Sequence, residues 1–299
     1  MKILISGSSG FIGTNLTEYL KEKGCDVIRL IRNNVENSDE ISWDLSSETY
    51  KLKEFEGFDA FINLSGENIF GYWTKEKKKR IAESRLSSTK LLTKIIKKLQ
   101  IPPKTFISAS AIGYYGNRGD EILDEYSQKG DGFFPELADK WEQTSKQAID
   151  KDIRVVNMRI GLVLSAKGGA LPKMLTPFRL CLGGNISDGN LYWSWISLDD
   201  LLSSVYYILN NKSLKGAVNI VSTNPLKNKE FTKILGSVLS RPTVFPVPAI
   251  IIKLLLGEFG NEALLASTRV IPKKLSDSGF SFLHTDLETT LKEIINNDQ

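Results

Sequence analysis

Through the first half of the chain, short apolar runs alternate with longer segments in which apolar side chains recur every three or four positions. The runs predict strands at Lys2 to Ser6, Val27 to Ile31, Ile41 to Trp43, Ala60 to Leu64, Thr105 to Ala109 and Arg154 to Arg159. Helical periodicity falls between them, at Phe11 to Lys23, Lys75 to Leu99 and Phe134 to Asp150. Runs that are apolar on both faces and separated by helices belong to a parallel sheet covered on both sides. The expected fold class is therefore α/β, a Rossmann-like doubly wound parallel sheet. Beyond Arg159 the pattern breaks up around Gly168-Gly169, Pro172, Pro177, Gly183-Gly184 and Gly189, then resumes from Leu198 to Leu209. A further strand at Ala217 to Val221 and a helix at Asn228 to Leu239 can rejoin the sheet. Pro242, Pro246 and Pro248 then open a helical tail. This divides the chain into a main unit, 1–162 with 215–240, and a smaller C-terminal substrate lobe, 163–214 with 241–299.

The first strand runs directly into Gly7-Ser8-Ser9-Gly10-Phe11-Ile12-Gly13 and then into a helix. Glycines at a strand-to-helix turn allow a sharp reversal, let backbone N–H groups approach a pyrophosphate, and let the helix pack close to the strand. Gly7, Ser9, Gly10, Phe11, Ile12 and Gly13 are thus the expected dinucleotide cradle, and the context is the one that gives such a motif meaning. An acid at the end of the second strand would select the ribose hydroxyls of NAD. Here the strand ends Leu30-Ile31-Arg32, and an arginine suits the 2′-phosphate of NADP, which is the expected cofactor. Leu64, Ser65 and Gly66 after the fourth strand, and Ser108 in the fifth, border the same crevice. Asp44 follows the third strand, where it meets the adenine or caps its own turn.

Composition narrows the class without naming a reaction. The 299 residues are 41% hydrophobic and 25% charged with a formal net charge of +4, ordinary values for a globular protein. The densest basic run, Lys75 to Arg80, reads as a solvated helix face, so no nucleic acid is expected. Cys25 and Cys181 are too few for a disulfide scaffold and lack metal-ligand spacing, and the single histidine, His284, reads as structural. No metal site is expected. No 18-residue apolar stretch occurs and the first apolar run is too short for a signal segment, so the reading is cytoplasmic, without a membrane partner. A small-molecule substrate is expected, and an oligomer is compatible with the composition. The apolar helix Ala249 to Leu256 is expected to bury itself against the second lobe.

The spacing G-x-x-G-x-x-G resembles the extended, epimerase-like branch of the short-chain dehydrogenases. Longer stretches resemble a narrower group, the epimerase-family proteins of the YfcH type. These are Asn63-Leu64-Ser65-Gly66-Glu67-Asn68-Ile69, Ser84-Arg85, Ser108 through Gly116, Trp141-Glu142, Gly168-Gly169-Ala170-Leu171, Ser194-Trp195-Ile196, and the tail from Pro246 through Phe282. The resemblance implies a bound dinucleotide and a distinctive C-terminal segment, but no settled reaction. In active relatives a serine holds the substrate oxygen and a Tyr-x-x-x-Lys pair one helical turn apart moves the proton. Ser110 matches the serine, but Phe134 and Ala138 stand at the tyrosine and lysine positions. The one literal Tyr-x-x-x-Lys, Tyr19 to Lys23, lies on the first helix and reads as a surface pair. Tyr114 is then the first candidate for the acid or base, with Glu67 as a carboxylate base or a partner of Arg85. Asn68, Arg85, Trp73 and Trp195 are candidate substrate contacts, Arg85 holding an anion or pairing with Glu67. Gly168-Gly169 and Gly183-Gly184 suggest a flap. Two readings stay open: an NADP(H)-binding oxidoreductase or epimerase-like protein, and a non-catalytic dinucleotide sensor or scaffold linked to cell division.

Overall fold

The computed structural model describes residues 1–32 and 35–296, so residues 297–299 of the expected tail lie outside the described residues. Its centre is a sheet of β1 (Lys2–Ser6), β2 (Asp26–Ile31), β3 (Glu40–Ser42), β4 (Ala60–Asn63), β5 (Thr105–Ala111), β6 (Arg154–Ile160) and β7 (Gly216–Ile220). These lie in the order β7-β6-β5-β4-β1-β2-β3, and every pairing is parallel. The order reverses between β1 and β4. In an open α/β sheet the ligand crevice lies outside the carboxyl ends of the strands at that switch point.

The period-2 alternation of each strand divides its side chains between two cores. Ile3 and Ile5 of β1 face one side, with Leu16 and Leu20 of helix α1 (Phe11–Glu22). Leu4, between them, faces the other side, with Phe61, Phe106 and Leu91, Leu92, Ile95 and Ile96 of helix α2 (Lys75–Lys98). Helix α3 (Phe133–Lys146) also follows α2, and it ends before the expected Asp150 because the chain tightens into a 3-10 turn at Gln147–Lys151. The short helix α4 (Leu171–Arg179) comes next, and α5 (Leu198–Asn210) follows it. The sequence reading grouped α5 with the smaller lobe. Its Leu201, Leu202, Val205 and Ile208 instead complete the core on the α1 side of the sheet. The apolar stripe of α5 buries more surface there than a polar loop region can offer.

Helix α6 (Asn228–Leu239) and helix α9 (Leu287–Asn296) enclose a third core with α4, containing Leu171, Leu175, Phe231, Leu235, Leu287 and Leu291. Between them the tail forms α7 (Ala249–Phe259) and α8 (Lys273–Asp277). It is stitched to the main unit by a parallel pairing of Arg269–Val270 with Ile122–Leu123. The expected burial of α7 is not observed. Ile252 and Phe259 point inward, whereas Ile250 is 72% and Leu254 79% exposed, and Ile251 and Leu255 are also open. The helix is apolar on all sides, and a single helix of this length can turn only one face to the protein. Gly183-Gly184 is not a free flap, because Phe178 and the Phe245 carbonyl close on it.

Candidate dinucleotide crevice

Two glycines make the turn after β1 possible. Gly7 has φ +73°, and a Cβ there would lie 2.6 Å from the Leu64 carbonyl carbon at the end of β4. A Cβ on Gly13 would lie 2.1 Å from the Gly7 oxygen, so only glycine lets α1 approach this closely. Ser9 and Gly10 are exposed at the crevice, with Phe11 and Ile12 half-buried behind them. The amino end of α1 has no side-chain cap and no acid in its first turn, which leaves its amides and the helix dipole to an anion. The cradle fits a pyrophosphate on these grounds. The Gly168-Gly169 loop lies against the Phe11 ring, beside the same turn.

Arg32 follows β2, is exposed, and has no hydrogen-bond or ion-pair partner among the described residues. Asp44 accepts from Ser46 and Ser47, and these bonds hold its carboxyl far below the ordinary carboxylate range. It caps its own turn, the second of the two roles read for it. Leu64 and Ser65 line the gap opposite Gly7, the Ser65 amide donating to Asn63 Oδ1 at 3.2 Å. Asn63 is tied to Ser6 and Thr89, which fixes β4 against β1 and α2. Ser108 does not reach the crevice: it is wholly buried in the sheet and donates to the Ala109 carbonyl.

At the carboxyl end of β5, Ser110 Oγ donates to Glu142 Oε1 at 2.8 Å. Glu142 projects from α3 and takes two further bonds from Arg159 of β6, Nε to Oε1 at 2.8 Å and Nη2 to Oε2 at 2.9 Å. The third guanidinium nitrogen donates to Tyr115 Oη at 2.9 Å, and the guanidinium carbon stands 3.5 Å from the centre of the Tyr114 ring. Tyr115 is enclosed, and burial pushes its phenol up. Tyr114 is half-buried, and its hydroxyl has no partner among the described residues. This network was only partly legible. Trp141-Glu142 is visible as a motif, whereas Arg159 lies in a predicted strand with no motif to mark it. The signal was available, since a charged residue near the carboxyl end of a buried strand requires a buried counter-charge.

Phe134, at the tyrosine position, packs on Gly113 and edge-on against Trp73, with ring centres 4.8 Å apart. Ala138 is buried. The amides of Phe133 and Phe134 are taken by the two oxygens of Glu262 at 2.8 and 2.7 Å, so the tail occupies the amino end of α3. Trp73 belongs to that aromatic cluster with Phe133 and Phe259, its indole N–H on the Ile69 carbonyl, and so forms no open wall. Trp195 is 0% exposed and bonded to the Asn224 carbonyl, deep in the third core, so it does not line the crevice. Its large apolar ring gains more from full enclosure than a pocket wall would allow. Glu67 is not placed to act as a base. Its carboxylate bonds Lys77 at 2.8 Å and Arg80 at 3.2 Å, and these cations hold it below the usual carboxylate range. Asn68 is exposed and turns back to accept from the Phe70 amide. His284 bridges Ser197 and Glu293 beside α5. Tyr19 packs edge-on against Tyr206, and Lys23 lies over the Tyr19 ring, on the α5 side of the sheet.

Comparison with known proteins agrees with this geometry. A human epimerase family protein, SDR39U1, solved with NADPH, superposes with a TM-score of 0.90 at 33% identity, covering 99% of this chain and 100% of that one. An epimerase family protein of Mycobacterium leprae is 35% identical over 97% of this chain and 94% of its own length. A chloroplastic Arabidopsis thaliana homologue is 34% identical over 99% of this chain and 87% of its own. Residues 247–294, which contain α7 and Glu262, match a domain of unknown function, DUF1731. Residues 3–221 match the NAD dependent epimerase/dehydratase family, and the chain belongs to that family.

Proposed function

We propose that this chain is an NADP(H)-binding oxidoreductase or epimerase-like protein that acts on a small polar, carbonyl-bearing molecule in the cytoplasm. The glycine turn carries this reading: Gly7 and Gly13 hold a strand and a helix too close for any side chain, and the uncapped amides of α1 face the switch-point crevice. Arg32, which has no partner among the described residues, supports NADP over NAD, as does the human relative solved with NADPH. When bound, the nicotinamide supplies hydride exchange. The chain's own part is to position the ligand and handle a proton. Ser110, whose hydrogen goes to Glu142, offers a ligand only its lone pairs. Tyr114, whose hydroxyl has no partner among the described residues and whose ring lies against the buried Arg159 charge, is the group we assign to carry the proton. The Gly168-Gly169 loop, resting on Phe11, is the segment we assign to cover the bound dinucleotide.

The test is in two stages. NADPH and NADH are titrated against the purified chain by quenching of tryptophan fluorescence, then NADPH oxidation is followed across a panel of aldehydes, ketones and sugars. Tight, NADPH-selective binding is expected, with turnover that Tyr114→Phe lowers while leaving NADPH affinity intact. Failure of the wild-type chain to bind either dinucleotide overturns the proposal. A second reading, a non-catalytic sensor or scaffold, is favoured by Phe134 and Ala138 at the positions where a tyrosine and lysine would work. Binding without turnover, with Tyr114→Phe and Glu67→Gln both silent toward every ligand, selects it.

A further inference from the structure

Arg85 projects from α2 one turn before Thr89, whose hydroxyl oxygen accepts from Asn63 and from the Trp141 indole. Helix α2 runs back toward the amino ends of the strands, so that turn places Arg85 nearer the carboxyl end of the sheet than Asn63. Its guanidinium carbon stands 5.4 Å from the centre of the Trp141 ring. Opposite lies Gly66, just past β4, where a Cβ would stand 3.0 Å from Cζ and 3.1 Å from Nη2. Any larger residue would press on the guanidinium, so glycine is what lets the end of β4 pass this close to it.

The bonding of this side chain is incomplete. Nη1 donates to the Glu67 carbonyl at 3.1 Å and the Ile81 carbonyl at 3.0 Å. Among the described residues Nε and Nη2, with three N–H groups between them, have no partner and no carboxylate lies within ion-pair distance. The acid whose charge acts on it, Glu67, is already held by Lys77 and Arg80. Burial lowers the Arg85 pKa to about 10, which leaves it charged at neutral pH. A half-buried cation whose neighbouring carboxylate is shared with two other cations is stabilised by a further negative charge at its open edge.

We infer that the open Nε and Nη2 edge of Arg85 binds a carboxylate of the substrate, so that the molecule handled in the crevice is a carbonyl-bearing monocarboxylic acid. The edge presents parallel N–H groups at the spacing of two carboxylate oxygens, which a lysine cannot reproduce. The number of donor positions selects a carboxylate over a phosphate: the Nε and Nη2 edge offers two, which the two oxygens of a carboxylate saturate, whereas a phosphomonoester brings three oxygens. This inference rests on the reading of the crevice as a dinucleotide site, and deepens it by naming a substrate class.

The test uses the full chain saturated with NADPH. A set of small monocarboxylates, including acetate, lactate and pyruvate, is titrated by calorimetry beside uncharged analogues such as pyruvamide. At least one carboxylate is expected to bind about tenfold or more tightly than its uncharged partner, as the loss of a charge-assisted pair implies. Arg85→Gln should abolish that preference, Arg85→Lys should keep part of it, and both should hold NADPH within about twofold of the parent; thermal unfolding of each variant checks that it is folded. Equal binding of charged and uncharged probes, or no carboxylate binding at all, overturns the inference. So does a tenfold loss of NADPH affinity in a folded Arg85→Gln, which would assign the guanidinium to the dinucleotide. If the wild-type chain binds no NADPH, the underlying reading has failed instead, and the carboxylate titration on the free chain still reads Arg85 separately.

Discussion

Replacing Glu142 with glutamine tests how the crevice floor is held. Glu142 and Arg159 side chains are 3% and 5% exposed, and the carboxylate takes both a forked pair from the guanidinium and a bond from Ser110. Glutamine keeps the shape and one acceptor oxygen, so the Ser110 bond survives. Its amide nitrogen, however, faces an N–H of Arg159, and the buried cation loses its counter-charge. Breaking one partner of a buried pair costs about 3–5 kcal/mol. Unfolding entropy is roughly 2.1 cal/mol/K per residue, so for 299 residues the expected fall in Tm is roughly 5–8 °C. Circular dichroism melts of Glu142→Gln, Arg159→Met and the double variant Glu142→Met with Arg159→Met supply the cycle. The double variant should melt nearer the parent than either single one, because apolar residues carry no unmet charge. A Glu142→Gln melt within about 1 °C of the parent, or a double variant equal to the sum of the singles, refutes the argument.

Further outcomes follow from the same geometry. Gly13→Ala should weaken NADPH binding severely and cost about 1–3 kcal/mol in a urea melt, since its Cβ would meet the Gly7 oxygen; unchanged affinity would remove the close-packing argument. Arg32→Ala should lower NADPH affinity about tenfold and leave NADH affinity unchanged, measured by fluorescence titration. Glu67 has a depressed folded pKa, so its contribution to stability is present above its unfolded pKa and is lost only as pH falls through the lower folded value. Any activity limb between about pH 6 and 9 should therefore persist in Glu67→Gln, and its disappearance would restore Glu67 as a base. Leu254→Asp should change stability by less than about 0.5 kcal/mol, because that side chain is 79% exposed; a cost near that of a core substitution would mean the α7 face is covered in solution.

Much of the sheet could be read from the sequence because its signals are local. A strand apolar on both faces, a glycine turn and a following amphipathic helix each declare themselves within a dozen or so residues. Arg32 was legible for the same reason, lying at the end of a strand already placed. What escaped depends on contacts distant along the chain. Trp195 reads equally well as a wall or as core, and only its indole bond to Asn224 and the packing of α4 and α6 around it decide. Glu67 and Arg85 share one loop and one helix, yet which cation takes the carboxylate depends on the side Lys77 and Arg80 present. The helix α7 is expected to be buried because it is strongly apolar and no basic face accompanies it. Composition measures how apolar a segment is, not whether the rest of the chain has a surface left to meet it.

The bond between Glu262 and the amino end of α3 also has a meaning in time. Phe133 and Glu262 are 129 residues apart, and at about 5–20 residues per second a ribosome needs roughly ten seconds to cover that distance. During that interval the sheet strands through β7 can pair, while the first amides of α3 and the rings of Trp73, Phe133 and Phe134 await Glu262 and Phe259. The growing chain therefore carries a half-covered aromatic surface from a nearly complete sheet until its last segment arrives. A chain ending before residue 259 would carry the exposed cluster permanently.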